Sequence, residues 1–185
     1  VNVAREKRIV LNVSCPKPAA KDSVLAERMH TDPESSARLL RCRKMVEENT
    51  STLLFVNTRN TAEVLAARFH LLDGAFPIGV HHGSLSKQIR VQMEEEFKSG
   101  ILKGLICTSS LELGIDIGSA DFTVQYNSPR QATRLIQRVG RAGHAIDATS
   151  RGEIVCDSAD DILEAAVIAR RAAAGEMEGS RIRDN

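Results

Sequence analysis

The chain has 185 residues, a mass of 20.2 kDa and a formal net charge of +1, enough for one ordinary domain with its own core and no need of disulfide or metal staples. Its 42% of hydrophobic residues include no apolar run near the roughly 18 needed to span a bilayer, and no basic, apolar opening segment, so neither a membrane span nor a secretion signal is expected. Aromatics make up 3%, with one Tyr and no Trp, so bound nucleic acid would be held through its phosphates more than by stacked bases.

In chain order, Arg8-Ile9-Val10-Leu11-Asn12-Val13 predicts an edge strand, followed by a Pro- and Lys-containing linker around Cys15 to Asp22. Asp32-Pro33 supplies an N-cap and a proline at the first helical position. Thr52–Val56, Ile78–His81, Gly104–Thr108, Phe122–Tyr126 and Glu153–Cys156 are short, mostly β-branched or aliphatic runs of the kind found in buried parallel strands. Between them, Asn60 with Glu63 has the spacing of a capping box, Gly74 and Gly100 stand where helices close, and Ser128-Pro129 is placed to open another helix. From Ser158 an Ala-rich helix leads into a polar tail. Strand–helix alternation predicts an α/β fold with an open, mostly parallel sheet, whose working loops gather at the carboxyl ends of the strands.

Those strand ends carry small polar residues: Asn57, Thr58 and Arg59, then His82, Gly83 and Ser84, then Thr108, Ser109 and Ser110 with Gly114-Ile115-Asp116 beyond. Backbone amides and hydroxyls at helix N-termini favour anions, although the same residue types are also ordinary caps. The adjacent His81 and His82 point to opposite faces of a strand and make no joint metal site; Glu94-Glu95-Glu96 predicts a solvated helix face. Cys15, Cys42, Cys107 and Cys156 lack C-x-x-C spacing and predict buried thiols in a reducing, cytoplasmic setting, with zinc binding not expected.

The densest signal lies near the end of the core. Arg130, Arg134, Arg138 and Arg141 recur at steps of four, four and three, against an apolar stripe of Ala132, Leu135, Ile136 and Val139. Five arginines but one acid, Asp147, lie between Pro129 and Gly152, so the helix is expected to present cations to a phosphate.

Thr108-Ser109-Ser110-Leu111-Glu112-Leu113-Gly114-Ile115-Asp116, Gln137-Arg138-Val139-Gly140-Arg141-Ala142-Gly143-His144 and Phe55-Val56-Asn57-Thr58-Arg59 resemble motifs V, VI and IV of superfamily 2 helicases. His82-Gly83-Ser84-Leu85-Ser86 through Arg90, with Phe97-Lys98-Ser99-Gly100, resembles the pattern between them, and the wording is most similar to the Lhr (large helicase-related) group. The resemblance implies a three-layer RecA-like domain over residues 23–157, with residues 1–22 as edge strand and linker and 158–185 as a helix and tail leading to a further domain. It implies that Arg141 is an arginine finger for ATP and that Gln137 orders the phosphate or the attacking water. By the same resemblance Gly114, Asp116, Arg138 and His144 lie on the nucleotide side, Asp116 against the ribose, while Asn57, Thr58, Arg59, Gly83, Arg90, Thr108 and Ser109 hold one nucleic-acid strand by its backbone. His144 departs from the second arginine that many relatives carry there, and a neutral imidazole is no fixed cation.

No Gly in the chain is followed by Lys, so the phosphate-cradling loop of a complete motor is missing, and the opening Val fits a piece of a longer protein. ATP and Mg²⁺ are therefore expected mainly on an absent first RecA-like domain, which would be a partner alongside single-stranded or partly duplex nucleic acid. The rival expectation is a catalytically inert nucleic-acid-binding or scaffolding module of the same fold.

Overall fold

The computed structural model describes residues 8–109, 120–142 and 149–176. Six strands, β1 (Ile9–Ser14), β2 (Thr52–Phe55), β3 (Ile78–His81), β4 (Gly104–Cys107), β5 (Phe122–Tyr126) and β6 (Ser150–Val155), form one sheet in the order β1-β6-β5-β2-β4-β3. Every pairing is parallel. Among the described residues, six helices cover it: α1 (Ala20–Arg28), α2 (Pro33–Glu48), α3 (Arg59–Leu72), α4 (Lys87–Lys98), α5 (Ala132–Val139) and α6 (Ala159–Ala173).

Alternation along each strand decides the layers. Leu54, Ile78, Ile106, Val124, Tyr126 and Val155 pack on one face against α1, α2 and α3, with Leu39, Cys42, Leu65 and Phe69 at the centre. On the other face Leu53, Phe55, Leu105 and Cys107 meet Phe97 of α4, while Ile154 and Cys156 meet Leu135 and Val139 of α5 and Ala165 and Ile168 of α6. The result is the three-layer RecA-like sandwich expected from the alternation and the motifs. Burial pushes the thiols of Cys42 and Cys156 up to about 12, which keeps them protonated and inert. Among the described residues no helix is long and apolar enough to cross a membrane.

Local chemistry corrects three helix starts. Asp32 caps α2 as predicted, accepting from the Ser35 N–H at 2.6 Å. α3, however, is capped by Thr58, whose hydroxyl accepts from the Thr61 N–H at 3.1 Å; Glu63, expected as half of a capping box with Asn60, reaches His82 instead. Ser128-Pro129 opens no helix, because Arg130 takes the left-handed conformation (φ 67°), which a right-handed helix cannot contain; α5 starts at Ala132. The supposed linker also reaches only to Ala19, since Ala20 and Asp22 already belong to α1. At the close of α4, Gly100 takes φ 80° as a C-terminal glycine should.

Candidate functional site

Because all strands run one way, the loops after them share one edge. The loops following β2, β4 and β3, three neighbouring strands, bring together Asn57, Thr58, Arg59, Gly83, Thr108 and Ser109, with Arg90 in the first turn of α4. Arg59 Nη1 donates to Ser84 Oγ at 2.8 Å and so ties the β2 loop to the β3 loop. Thr108 joins the same group, its N–H donating to the His81 carbonyl at 3.4 Å. Arg90 keeps a buried Nε with no hydrogen-bond partner. The two histidines beneath these loops do face opposite ways: His81 Nε2 lies 2.8 Å from Glu94 of α4 and His82 Nε2 lies 2.6 Å from Glu63 of α3. Glu94 is thereby drawn out of the solvated face predicted for it.

Asn57 does more than line the edge. Its Nδ2 donates to the Ser128 carbonyl at 2.8 Å, and its Oδ1 accepts from Arg138 Nη1 at 3.2 Å. The amide therefore stitches the β2 loop to the β5 loop and to α5. That β5 loop depends on a residue the sequence reading missed, Asp161, buried near the start of α6. It accepts from the Ser128 N–H at 2.9 Å and from Asn127 Nδ2 at 3.2 Å, which steadies two left-handed residues, Asn127 (φ 64°) and Arg130. Its signal was legible: Ser158-x-x-Asp161 has capping-box spacing, and Ser158 Oγ does accept from the Asp161 N–H at 3.2 Å.

The arginine stripe is not a single cationic face. Arg130 precedes the helix and pairs with Glu164 at 2.5 Å. Arg138, expected at the nucleotide, is 1% exposed; it donates to Gln125 Oε1 at 2.6 Å and lies 5.3 Å above the Phe55 ring. A buried guanidinium with these partners ties α5 to the sheet. Arg141 follows the helix end, at the opposite edge from the strand-end loops. Its carbonyl accepts from the Ala120 N–H at 3.4 Å, Ala142 bridges Ala120, and Ser150 Oγ donates to the Ala142 carbonyl at 2.8 Å. Residues that precede β5 and β6 thus fix the backbone of Arg141, roughly 15 Å of strand length from Asn57. Gln137 is exposed on the last turn of α5, four residues before Arg141. Gly114, Asp116 and His144 lie outside the described residues.

Residues 34–145 match the family described as helicase conserved C-terminal domain. The chain is 35% identical over its whole length to ATP-dependent helicase Lhr-Core of Methanothermobacter thermautotrophicus, covering 21% of that protein, and 35% identical over its whole length to the Lhr-Core helicase of Methanocaldococcus jannaschii, again covering 21%. It therefore spans about a fifth of the length of these curated relatives. Among solved structures, the Mycobacterium smegmatis helicase Lhr bound to ssDNA and AMP-PNP superposes with a TM-score of 0.80 at 33% identity, over 95% of this chain and 23% of that one. The C-terminal domain of the DEAD-box protein Dbp5 superposes with a TM-score of 0.62 at 26% identity, over 96% of this chain and 89% of that one.

Proposed function

The chain belongs to the helicase conserved C-terminal domain family of superfamily 2, within the Lhr group, and on that premise we propose that it is the second RecA-like motor domain of an ATP-dependent nucleic-acid helicase. The observation that carries the reading is the division of labour between the two sheet edges. Loops with small donors and Arg59 sit at the carboxyl edge; Arg141 is pinned at the amino edge; the Arg138–Asn57 bond runs between α5, which Arg141 follows, and the loop after β2.

Each edge suits a different phosphate. Thr58, Gly83 and Thr108 would offer amides and hydroxyls to a sugar–phosphate backbone, contacts that position a strand without reading its bases and that DNA and RNA both accept. Gln137 and Arg141 carry donors for the oxygens of a nucleoside triphosphate. Arg141 would place its guanidinium against the charge that develops on the transferred phosphoryl group, and Gln137 would orient the attacking water. ATP supplies the phosphoryl group when bound; it and Mg²⁺ would be held mainly by a first RecA-like domain across a cleft from this one. Nucleotide-driven movement of the two domains would then shift the carboxyl-edge loops along the strand.

On this reading Arg141→Ala in the protein that joins both domains lowers kcat by about 10³-fold with little change in ATP affinity, the scale of an arginine finger; steady-state ATPase assays check it, and an unchanged kcat removes Arg141 from the role. The 185-residue chain alone shows no measurable ATPase with or without single-stranded nucleic acid, and robust turnover by it would overturn the composite site.

A further inference from the structure

The carboxyl edge carries a second concavity that the strand-end loops do not use. The connection after β2 leaves to the face of α3 and the connection after the adjacent β5 leaves to the opposite face of α5, the kind of boundary at which open parallel sheets bind ligands. A cavity of about 250 Å³ opens there, on the α2–α3 side. Arg38 of α2, Arg68 of α3, Thr61 and Tyr126 are among the residues lining it.

Its donors outnumber its acceptors. The Nε of Arg38 is buried with no hydrogen-bond partner, although Nη2 of the same side chain donates to Ser35 Oγ at 3.2 Å. Arg68 donates only to a neutral hydroxyl, Thr31 Oγ1, at 2.6 Å and meets no carboxylate among the described residues. Tyr126 is 5% exposed, and its hydroxyl makes no hydrogen bond to any described residue. Among the described residues lining the cavity, Asp157 is the one carboxylate; it stands 3.9 Å from Arg38, is 44% exposed and is shared with Asn127. Two guanidiniums facing one peripheral carboxylate leave a net positive pocket, and the Tyr126 hydroxyl, which lines it with no partner among the described residues, is available as a donor to whatever enters. Burial pushes Tyr126 up to about 12, against the lowering effect of Arg38, so the group is a donor at neutral pH.

We propose that this cavity binds one phosphate group of the nucleic-acid strand whose neighbouring phosphates the Thr58–Arg59 and Gly83 loops hold; the assignment rests on the strand-binding role given to that edge above. Several convergent donors suit the oxygens of a phosphate. The Tyr126 ring is 5% exposed within the core and has the Arg38 guanidinium 4.9 Å over one face, so a base has little ring surface to stack on. Continuity with the strand edge is direct: Thr61 Oγ1, at the cavity, lies 2.8 Å from Thr58 Oγ1, the cap of α3.

The test is fluorescence anisotropy of labelled single-stranded oligothymidylate and oligouridylate with the 185-residue chain, from low salt upward. Arg68→Gln is expected to weaken binding about tenfold and to lower the log–log salt slope by about 0.7, one single-strand phosphate; Arg68→Lys keeps most of the slope. Tyr126→Phe weakens binding several-fold at unchanged Tm, since it removes only an unpartnered hydroxyl, and inorganic phosphate competes less well against it than against the parent chain. Should Arg68→Gln and Tyr126→Phe bind like the parent while Arg59→Gln is weakened, the cavity assignment is wrong and the strand edge stands. No binding by the parent chain at low salt would remove both. If the two cavity substitutions weaken binding of a glutamate-rich peptide but not of either oligonucleotide, the pocket docks protein carboxylates and the phosphate assignment is overturned.

Discussion

A Cβ added at Gly83 would meet nothing within 4 Å, and the residue has no left-handed φ that would demand glycine. Nothing in the packing therefore requires Gly there, whereas a strand lying close over the β3 loop would. Gly83→Val is expected to leave the free energy of unfolding within about 0.5 kcal/mol of the parent while weakening single-strand binding several-fold. Thermal melts and anisotropy on the same preparation separate the two effects, and unaltered binding would release Gly83 from the strand-facing role. Residue scale is also where the sequence misleads: Arg138 and Arg141 stand three apart in one motif, yet one is a buried tie and the other is fixed at the sheet edge. No periodicity distinguishes them, because what buries Arg138 is Phe55 and Gln125, which arrive from other strands.

Among the strands, glycines act through what lies opposite. In β6, a Cβ on Gly152 would stand 2.7 Å from the Thr123 carbonyl oxygen of β5, and backbone in a central strand cannot retreat without breaking the ladder. In β3, the same atom on Gly79 would meet Leu102 Cδ1 at 2.7 Å and Met93 Sδ at 2.9 Å, both the ends of flexible side chains. Gly152→Ala is expected to cost about 3 kcal/mol and Gly79→Ala about 1 kcal/mol; urea unfolding at equal m-values checks the order, and a reversed ranking would mean that β6 tolerates displacement more readily than the α4 layer repacks. Element existence and direction follow closely from apolar runs and their flanking turns. Element starts were less legible: α3 and α5 begin where a side-chain acceptor and a left-handed residue decide, not where the nearest Asn or Pro suggests.

Across the whole molecule, one ionic tie joins the α2 layer, the sheet and its edge strand. Arg41 donates to both oxygens of Glu153 at 2.7 and 2.5 Å, and Ser14 Oγ of β1 donates to the same carboxylate at 2.6 Å. Burial by itself would raise the Glu153 carboxyl, but the bonds from Arg41 and Ser14 and the Arg41 charge outweigh it and hold the group below its ordinary 4.5. A lowered folded-state value means that the tie stabilises fully above that ordinary value and is lost as pH falls below it. Arg41→Met should cost about 2 kcal/mol at pH 7, less than a fully enclosed pair because Arg41 is 34% exposed. It should also shrink the part of the acid loss that this carboxylate contributes, because without Arg41 only Ser14 opposes burial and the folded-state value of Glu153 moves back toward its ordinary one. Denaturant midpoints taken from pH 7 down past 4.5 read both effects, and an acid limb unchanged by the substitution would exclude the pair as its source.

By itself the sequence determined the α/β class, the parallel strands, the carboxyl-edge loops and the motif resemblance, because these depend on short-range periodicity, turn chemistry and contiguous wording. Only the tertiary structure decided that Asn57, Ser128 and Arg138 share hydrogen bonds, that Asp161 anchors the β5 loop, and that Arg141 stands across the sheet from the carboxyl-edge loops. Those relations join residues up to 81 positions apart. The order of strands in the sheet sets them, and no local pattern in the chain encodes that order.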